Sequence, residues 1–308
     1  RLVELGVPFP CNEYGEFVGY KTDHDRGRRA TSVGPYTSKV MTEKLEADVR
    51  SRGVEILDGL QAISLLVQQE HIYAVLCLDL HKTRDDGIPS YQLLHCENCI
   101  LATGGPAGIY QDSVYPQSQL GSSGLAFEAG IRGKNLTEWQ YGMASLSPRW
   151  NVSGTYMQVL PRVVSTAEDG SDEREFLLDF FGDAGHMQSM LFLKGYQWPF
   201  DVNKIFGGSS IIDLLVYRER CLLGRRVFLD YRTNSQGRDI DFSGLCREAF
   251  EYLHSAHACF GTPIQRLEHM NQPAVDFYKE HGVDLHAQML EIAICAQHNN
   301  GGLATDSH

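Results

Sequence analysis

The sequence predicts an α/β fold on three observations. Val-, Ile- and Leu-rich runs of strand length cluster between residues 54 and 103, stripes of helical period flank them, and one apolar run passes straight into paired glycines. Near residue 145 the texture changes from aliphatic runs to aromatics, prolines and turns, which marks a domain boundary.

In chain order, Arg1-Leu-Val-Glu-Leu5 followed by Gly6-Val7 reads as the last turn of a helix stopped by a left-handed glycine. Val40, Met41, Leu45 and Val49 lie on one face of a helix that ends at Gly53. Val54 to Leu57, Ala62 to Val67 and Ile72 to Leu80 read as strands, with Lys82 to Pro89 as a hairpin tip before a strand from Tyr91 to His95. Cys99 to Thr103 is a short, fully apolar strand that turns on Gly104-Gly105, and Gly124 to Gly130 is a short helix closed by glycine. Further on, helical patterns recur at Ile211 to Arg220, Leu245 to Ala258 and Ala274 to His281, where His281-Gly282-Val283 repeats the helix stop of Leu5-Gly6-Val7.

Composition narrows the function classes. Of 308 residues, 43% are hydrophobic and 21% charged, which excludes a disordered or fibrous chain. Lys and Arg number 27 against 39 Asp and Glu; a net charge of −12 opposes a mainly electrostatic grip on nucleic acid or an anionic membrane. No apolar run approaches the roughly 18 residues of a bilayer-spanning helix. The expectation is a cytoplasmic small-molecule enzyme or protein-binding domain with no nucleic-acid partner and no membrane span. Eight cysteines spread along the chain point to reduced thiols. Cys96-Glu-Asn-Cys99 is compatible with half a zinc site or a redox pair, yet no second pair completes it. The single helix turn at the start and the polar, glycine-bearing run from His298 to His308 suggest an interior window of a longer protein.

Two motifs concentrate the chemistry. A strand that ends on Thr103-Gly104-Gly105 brings bare backbone close to a nucleotide or cofactor, or makes an ordinary turn; the full Gly-x-Gly-x-x-Gly fingerprint is absent. His298-Asn299-Asn300-Gly301-Gly302 sets an imidazole, two amides and unhindered backbone N–H groups at the end of an apolar run. That cluster suits an anionic substrate or the orientation of a hydride acceptor, and equally a hydrogen-bonded turn. His254 and His257 have metal-compatible spacing with no recognisable third ligand.

Four collinear segments resemble the flavoprotein subunits of fumarate reductase and succinate dehydrogenase and the aspartate oxidases. They are Ile100-Leu-Ala-Thr-Gly-Gly-Pro-Ala-Gly-Ile-Tyr110, Gly121-Ser-Ser-Gly-Leu-Ala-Phe-Glu-Ala-Gly130, Leu136-Thr-Glu-Trp-Gln140 and Gln297-His-Asn-Asn-Gly-Gly302. The resemblance implies a Rossmann-like FAD-binding domain, incomplete here, interrupted by an α+β capping domain. Residues 1–145 would be the second part of the FAD domain, 146–285 the cap and 286–308 the return. It also implies FAD in the intact protein, with weak or absent binding by this chain alone, a small-molecule substrate and an electron-transfer partner.

Carried over by position, Ala102, Thr103, Gly104 and Gly105 would contact the cofactor, with Asn300, Gly301 and Gly302 on the returning segment. Ser123 stands where relatives carry the Asp of a Thr-Gly-Asp-Gly sequence. His298 would be catalytic and, with Asn299, would bind substrate. Tyr156, Gln158, Arg162 and Tyr196 are cap-side candidates: Arg162 and Tyr196 as catalytic groups, Tyr156 and Gln158 as substrate contacts alongside Ser209 and Ser210. Three departures argue against fumarate or succinate. Gln140 is followed by Tyr141-Gly142-Met143 in place of His-Pro-Thr-Gly, Leu160-Pro161 stands for a Thr-Glu pair, and the cap arginine expected near Ser209-Ser210 is missing. The expected activity is FAD-dependent hydride transfer to or from another small, anionic substrate. The alternative is a subunit of this fold that has lost catalysis and serves binding or assembly.

Overall fold

The structure, a computed structural model, describes residues 1–22 and 25–306, and of residues 20–22 and 25–29 the backbone alone. Ser307 and His308, the end of the polar closing run, lie outside the described residues. The chain divides into two compact units. One comprises Arg1–Glu46, Asp112–Val114 and Tyr141–Cys295; the other comprises Ala47–Gln111, Tyr115–Gln140 and Ala296–His308.

Two short antiparallel strands, β1 (Tyr20–Thr22) and β2 (Asp25–Ala30), precede α1 (Thr37–Ser51), the helix expected from the stripe at 40, 41, 45 and 49. Gly53 ends it at φ +71°, and none of its residues is buried. Ahead of these, Gly6 donates to the Val3 carbonyl and Val7 to that of Leu2, the paired bonds of a Schellman stop. The same pair recurs where Gly282 donates to Lys279 and Val283 to Tyr278, so the repeated Gly-Val grammar has one geometry.

In the second unit, β3 (Leu60–Gln68), β4 (His71–Asp79) and β5 (Tyr91–His95) form an antiparallel sheet in that order. The expected hairpin tip between the last two is instead a helix, α2 (Leu80–Asp86). Asp79 caps it by accepting from the Lys82 N–H, and Gly87 closes it at φ +67°, so a cap residue and a left-handed stop outweigh the polar composition. Val54 to Leu57 and Cys99 to Thr103 do not form strands. A strand needs a ladder, and among the described residues no neighbouring strand pairs with either run; Ile100 is 92% exposed. The helix α3 (Ser123–Glu128) forms as expected, closed by Gly130 at φ +91°.

Beyond it come β6 (Gly133–Lys134), β7 (Trp139–Leu146), β8 (Arg149–Asn151), α4 (Thr155–Gln158), β9 (Arg162–Thr166), α5 (Phe176–Phe181), α6 (Ala184–Lys194), α7 (Ser210–Tyr217), β10 (Arg226–Asp230), α8 (Arg247–Ser255), α9 (Pro263–Glu280), β11 (Leu290–Asn299) and β12 (Gly302–Leu303). A five-stranded sheet runs β8-β7-β11-β10-β9. One face of its central strands is closed by helices: Val227, Leu229 and Ile292, which register places on the same side, are buried among Met157, Leu191, Ile212 and Leu267. The last helix starts well before the expected Ala274. Thr262 and Gln265 form a capping box around Pro263, and the axis kinks at Asn271 before Pro273, whose ring and missing N–H break the ladder without ending the helix. No described helix is long and apolar enough to cross a membrane, and all eight cysteines are free.

Candidate functional site

All eight residues that the resemblance assigns to the cofactor fall in the second unit. Ala102, Thr103, Gly104 and Gly105 make an exposed ledge that offers backbone and one hydroxyl. Gln119 donates from its side-chain amide to the Thr103 carbonyl at 3.1 Å, and its own carbonyl accepts from the Gly108 N–H at 2.9 Å. A Cβ on Gly121, where φ is +67°, would lie 3.2 Å from the Gly104 carbonyl oxygen. These close approaches bring the ledge to the start of α3, where Ser123 sits.

α3 in turn packs against β12, which pairs antiparallel with β6 through Gly302 opposite Lys134 and Leu303 opposite Gly133. The Leu136–Gln140 and Gln297–Gly302 motifs, far apart in sequence, thereby meet. The Asn299 amide donates to the Leu136 carbonyl at 2.9 Å, and the Asn300 N–H donates to that of Glu138 at 2.7 Å. A Cβ on Gly301 would stand 1.8 Å from the Asn135 carbonyl oxygen, so only glycine fits that approach. Asn299 Oδ1 is buried without a partner, and the His298 side chain is exposed. Bare backbone along 102–105 and 121, the adjoining start of α3 and an orphaned amide oxygen suit the backbone-dominated grip a dinucleotide cofactor needs.

The cap-side candidates lie in the first unit, which holds a cleft of about 770 Å³. Tyr156, Gln158 and Tyr196 line it, together with Trp150, Asn151, Trp198 and Asn271, which the sequence did not single out. Its floor is a close crossing of two glycines, where the Gly154 N–H donates to the Gly195 carbonyl at 2.5 Å. The α9 kink brings Asn271 into the lining, with its amide 2.7 Å from Thr155 Oγ1. Trp198 packs over β7 at the residues that stand in place of His-Pro-Thr-Gly: a Cβ on Gly142 would fall 2.3 Å from the indole nitrogen. A glycine inside a strand pattern signals such an approach in sequence, as a proline inside a helical stripe signals the kink. Burial holds the Tyr156 hydroxyl protonated, against a smaller pull from Trp150.

Three candidates stand apart from the cleft lining. Arg162 faces Asp230 across the β9–β10 ladder; its guanidinium reaches Asp230 and Glu173 at 2.7 Å each and Glu175 at 3.7 Å. Burial works against the Asp230 carboxylate, but Arg232 and Arg162 outweigh it and hold its pKa below the usual value. Ser209 and Ser210 are buried, the first donating to Gln197 Oε1 and the second accepting from the Asp201 N–H. Among the described residues no three His, Cys, Asp or Glu side chains gather as a metal site, and His254 lies against the Phe250 ring.

Comparison with known proteins adds the family. A family model described as an FAD binding domain matches residues 1–167. An L-aspartate oxidase of Mesorhizobium japonicum is 29% identical over 143 residues, 46% of this chain and 26% of that protein. An L-aspartate oxidase of Streptomyces coelicolor is 21% identical over 100% of this chain and 45% of its own length. Among solved structures, a quinol-fumarate reductase with menaquinol molecules superposes with a TM-score of 0.64 at 14% identity, over 99% of this chain and 47% of that one. An E. coli quinol fumarate reductase gives 0.62 at 15% identity, over 99% and 46%. The chain spans less than half the length of each of these relatives, and at such identities the structural likeness establishes the fold alone.

Proposed function

The chain belongs to the FAD binding domain family, and from that premise we propose that this protein is an FAD-dependent oxidoreductase transferring a hydride between flavin and a small organic substrate other than fumarate or succinate. The observation that carries the reading is the meeting, inside one unit, of the Ala102–Gly105 ledge, the Ser123 helix start and the Asn299–Gly302 turn. Bound there, FAD would supply a two-electron hydride acceptor or donor.

The protein's own groups would do the rest. Ala102, Thr103, Gly104 and Gly105 offer backbone along the adenosine half of the cofactor, and Ser123 a hydroxyl at a helix start. Gly301 and Gly302 allow close approach on the returning segment, with the Asn300 backbone fixed by Glu138. Asn299, anchored through its amide to Leu136, keeps one oxygen for a ligand donor, and His298, which is exposed, would polarise or protonate substrate. In the cap-side cleft Tyr156, Gln158 and Tyr196 would orient the substrate. Arg162 is given no part in anion binding, because three carboxylates already neutralise it.

The residues 102–105 and 121–123 do not include the phosphate-gripping Gly-x-Gly-x-x-Gly turn, so the natural full-length protein is the one to test. Equilibrated with FAD and passed through gel filtration, it should keep a flavin absorbance band. Photoreduction followed by enoates or ketones should then restore the oxidised band faster than oxygen does. Loss of all flavin on the column would overturn the proposal; retained flavin that no carbonyl or enoate reoxidises would favour the binding or assembly subunit.

A further inference from the structure

No described residue lining the cap-side cleft is acidic, basic or a histidine. Seventeen described residues line it, and their polar groups are hydroxyls, amides and indole or backbone N–H groups. Four of the lining residues are aromatic and three carry side-chain amides. Among the described lining residues no cation would replace the hydration that a carboxylate loses on leaving water. A flat, uncharged ring would instead exchange water for aromatic faces.

A second observation points the same way. Few buried side-chain atoms lack a hydrogen-bond partner among the described residues, and three of them sit on this lining: Asn151 Oδ1, the Tyr156 hydroxyl and Trp198 Nε1. They are an acceptor, a group that both donates and accepts, and a donor. Tyr156 is only 6% exposed, and beyond the smaller pull of Trp150 its hydroxyl meets no partner at full hydrogen-bond geometry, a desolvation cost that the fold carries. Gln158 and the second polar atom of Asn271 add further amide capacity to the same wall.

We propose that this cleft binds a neutral ring compound bearing carbonyl, amide or hydroxyl groups. As the substrate class for hydride transfer the inference rests on the function proposed above; as a binding statement it stands by itself. It replaces the anion expected from sequence with an uncharged ring, and it gives the Tyr141-Gly142-Met143 departure a purpose: Gly142 leaves the space that the Trp198 indole fills.

Two of the three tryptophans, Trp150 and Trp198, line the cleft, so intrinsic fluorescence reports on it directly. The chain, without flavin, would be titrated with benzamide and 2-cyclohexenone, and with benzoate and fumarate as charged counterparts. Saturable quenching by the neutral pair is expected, with benzoate at least about tenfold weaker than benzamide. Tyr156→Phe, at unchanged far-UV circular dichroism, should weaken benzamide about three- to tenfold. Ser38→Lys, a cation added on the lining, should strengthen benzoate and leave benzamide nearly unchanged. Benzoate or fumarate binding as tightly as benzamide overturns the proposal, as does an absence of quenching by both neutral rings or benzoate affinity indifferent to Ser38→Lys. Since no flavin is present, benzamide binding by a protein that retains no FAD would sink the oxidoreductase reading and leave this one standing, and the converse result would do the opposite.

Discussion

Leu229 and Ile100 belong to equally apolar runs, yet Leu229 is wholly buried in β10 while Ile100 is 92% exposed. The contrast extends to their units. In the first, Met157, Leu177, Leu191, Ile212, Leu229 and Leu267 close a core around a five-stranded sheet. In the second, Ala74, Cys77, Ala107 and Ala126 are buried while Leu57, Ile100, Ile109 and Leu120 stand exposed. Apolar patterning alone therefore does not make a strand or a core; it does so where a neighbouring ladder and a second layer exist to receive it.

The largest effect expected from this contrast lies in the dense unit. Arg266 is fully buried and pairs with no carboxylate among the described residues; its guanidinium donates to the carbonyls of Val159, Phe260 and Gly261 and to Asn234 Oδ1. Burial lowers its pKa to about 10. Arg266→Met would strand those acceptors, and the expected loss is about 3–5 kcal/mol in urea unfolding at neutral pH. A loss under about 1 kcal/mol would show that relief from burying the cation cancels the lost bonds.

A middle-sized effect comes from Asp213, buried 2.5 Å from Lys194. Burial raises its carboxyl pKa to about 6, with Lys194 pulling the other way. Below about pH 4 both folded and unfolded chains hold the proton; between about 4 and 6 the unfolded chain releases it first, so this group's contribution to stability falls as pH rises, and it is flat above. Relative to Asp213→Asn, which cannot ionise, the natural chain should lose roughly 2–3 kcal/mol across that window, read from urea midpoints at intervals of pH. A difference that stays level from pH 4 to 7 would mean that Lys194 keeps the carboxylate ionised in the fold.

How legible each region was follows from the same physics. The Gly6-Val7 and Gly282-Val283 stops, α1 and the strands β3 to β5 were readable because local stereochemistry and period decide them. Lys82 to Pro89 has the polar composition of a hairpin tip, yet the Asp79 cap and the Gly87 stop make it a helix. The kink at Asn271 is not legible because the apolar stripe supports a helix only from Ala274, while the first half rests on the Thr262 capping box. Of the site, the two glycine-bearing motifs were visible, but their meeting depends on β12 pairing with β6, a two-residue ladder with no periodicity to announce it. The neutral aromatic cleft was half visible: Tyr156, Gln158 and Tyr196 were named, whereas Trp198 gained its place only through the space Gly142 leaves.

The smallest expected effect tests the sparse unit. Ile100 precedes the ledge proposed to hold the adenosine half of FAD, and in the structure it makes no strand and buries almost nothing. Ile100→Ser should then change the unfolding free energy of this chain by less than about 0.5 kcal/mol, the range of a surface substitution. Full burial of such a side chain would instead contribute about 2 kcal/mol. The size of the loss therefore discriminates between the two environments: a cost near 2 kcal/mol would show that the run from Cys99 to Thr103 is covered in solution, and the contrast between Leu229 and Ile100 would collapse.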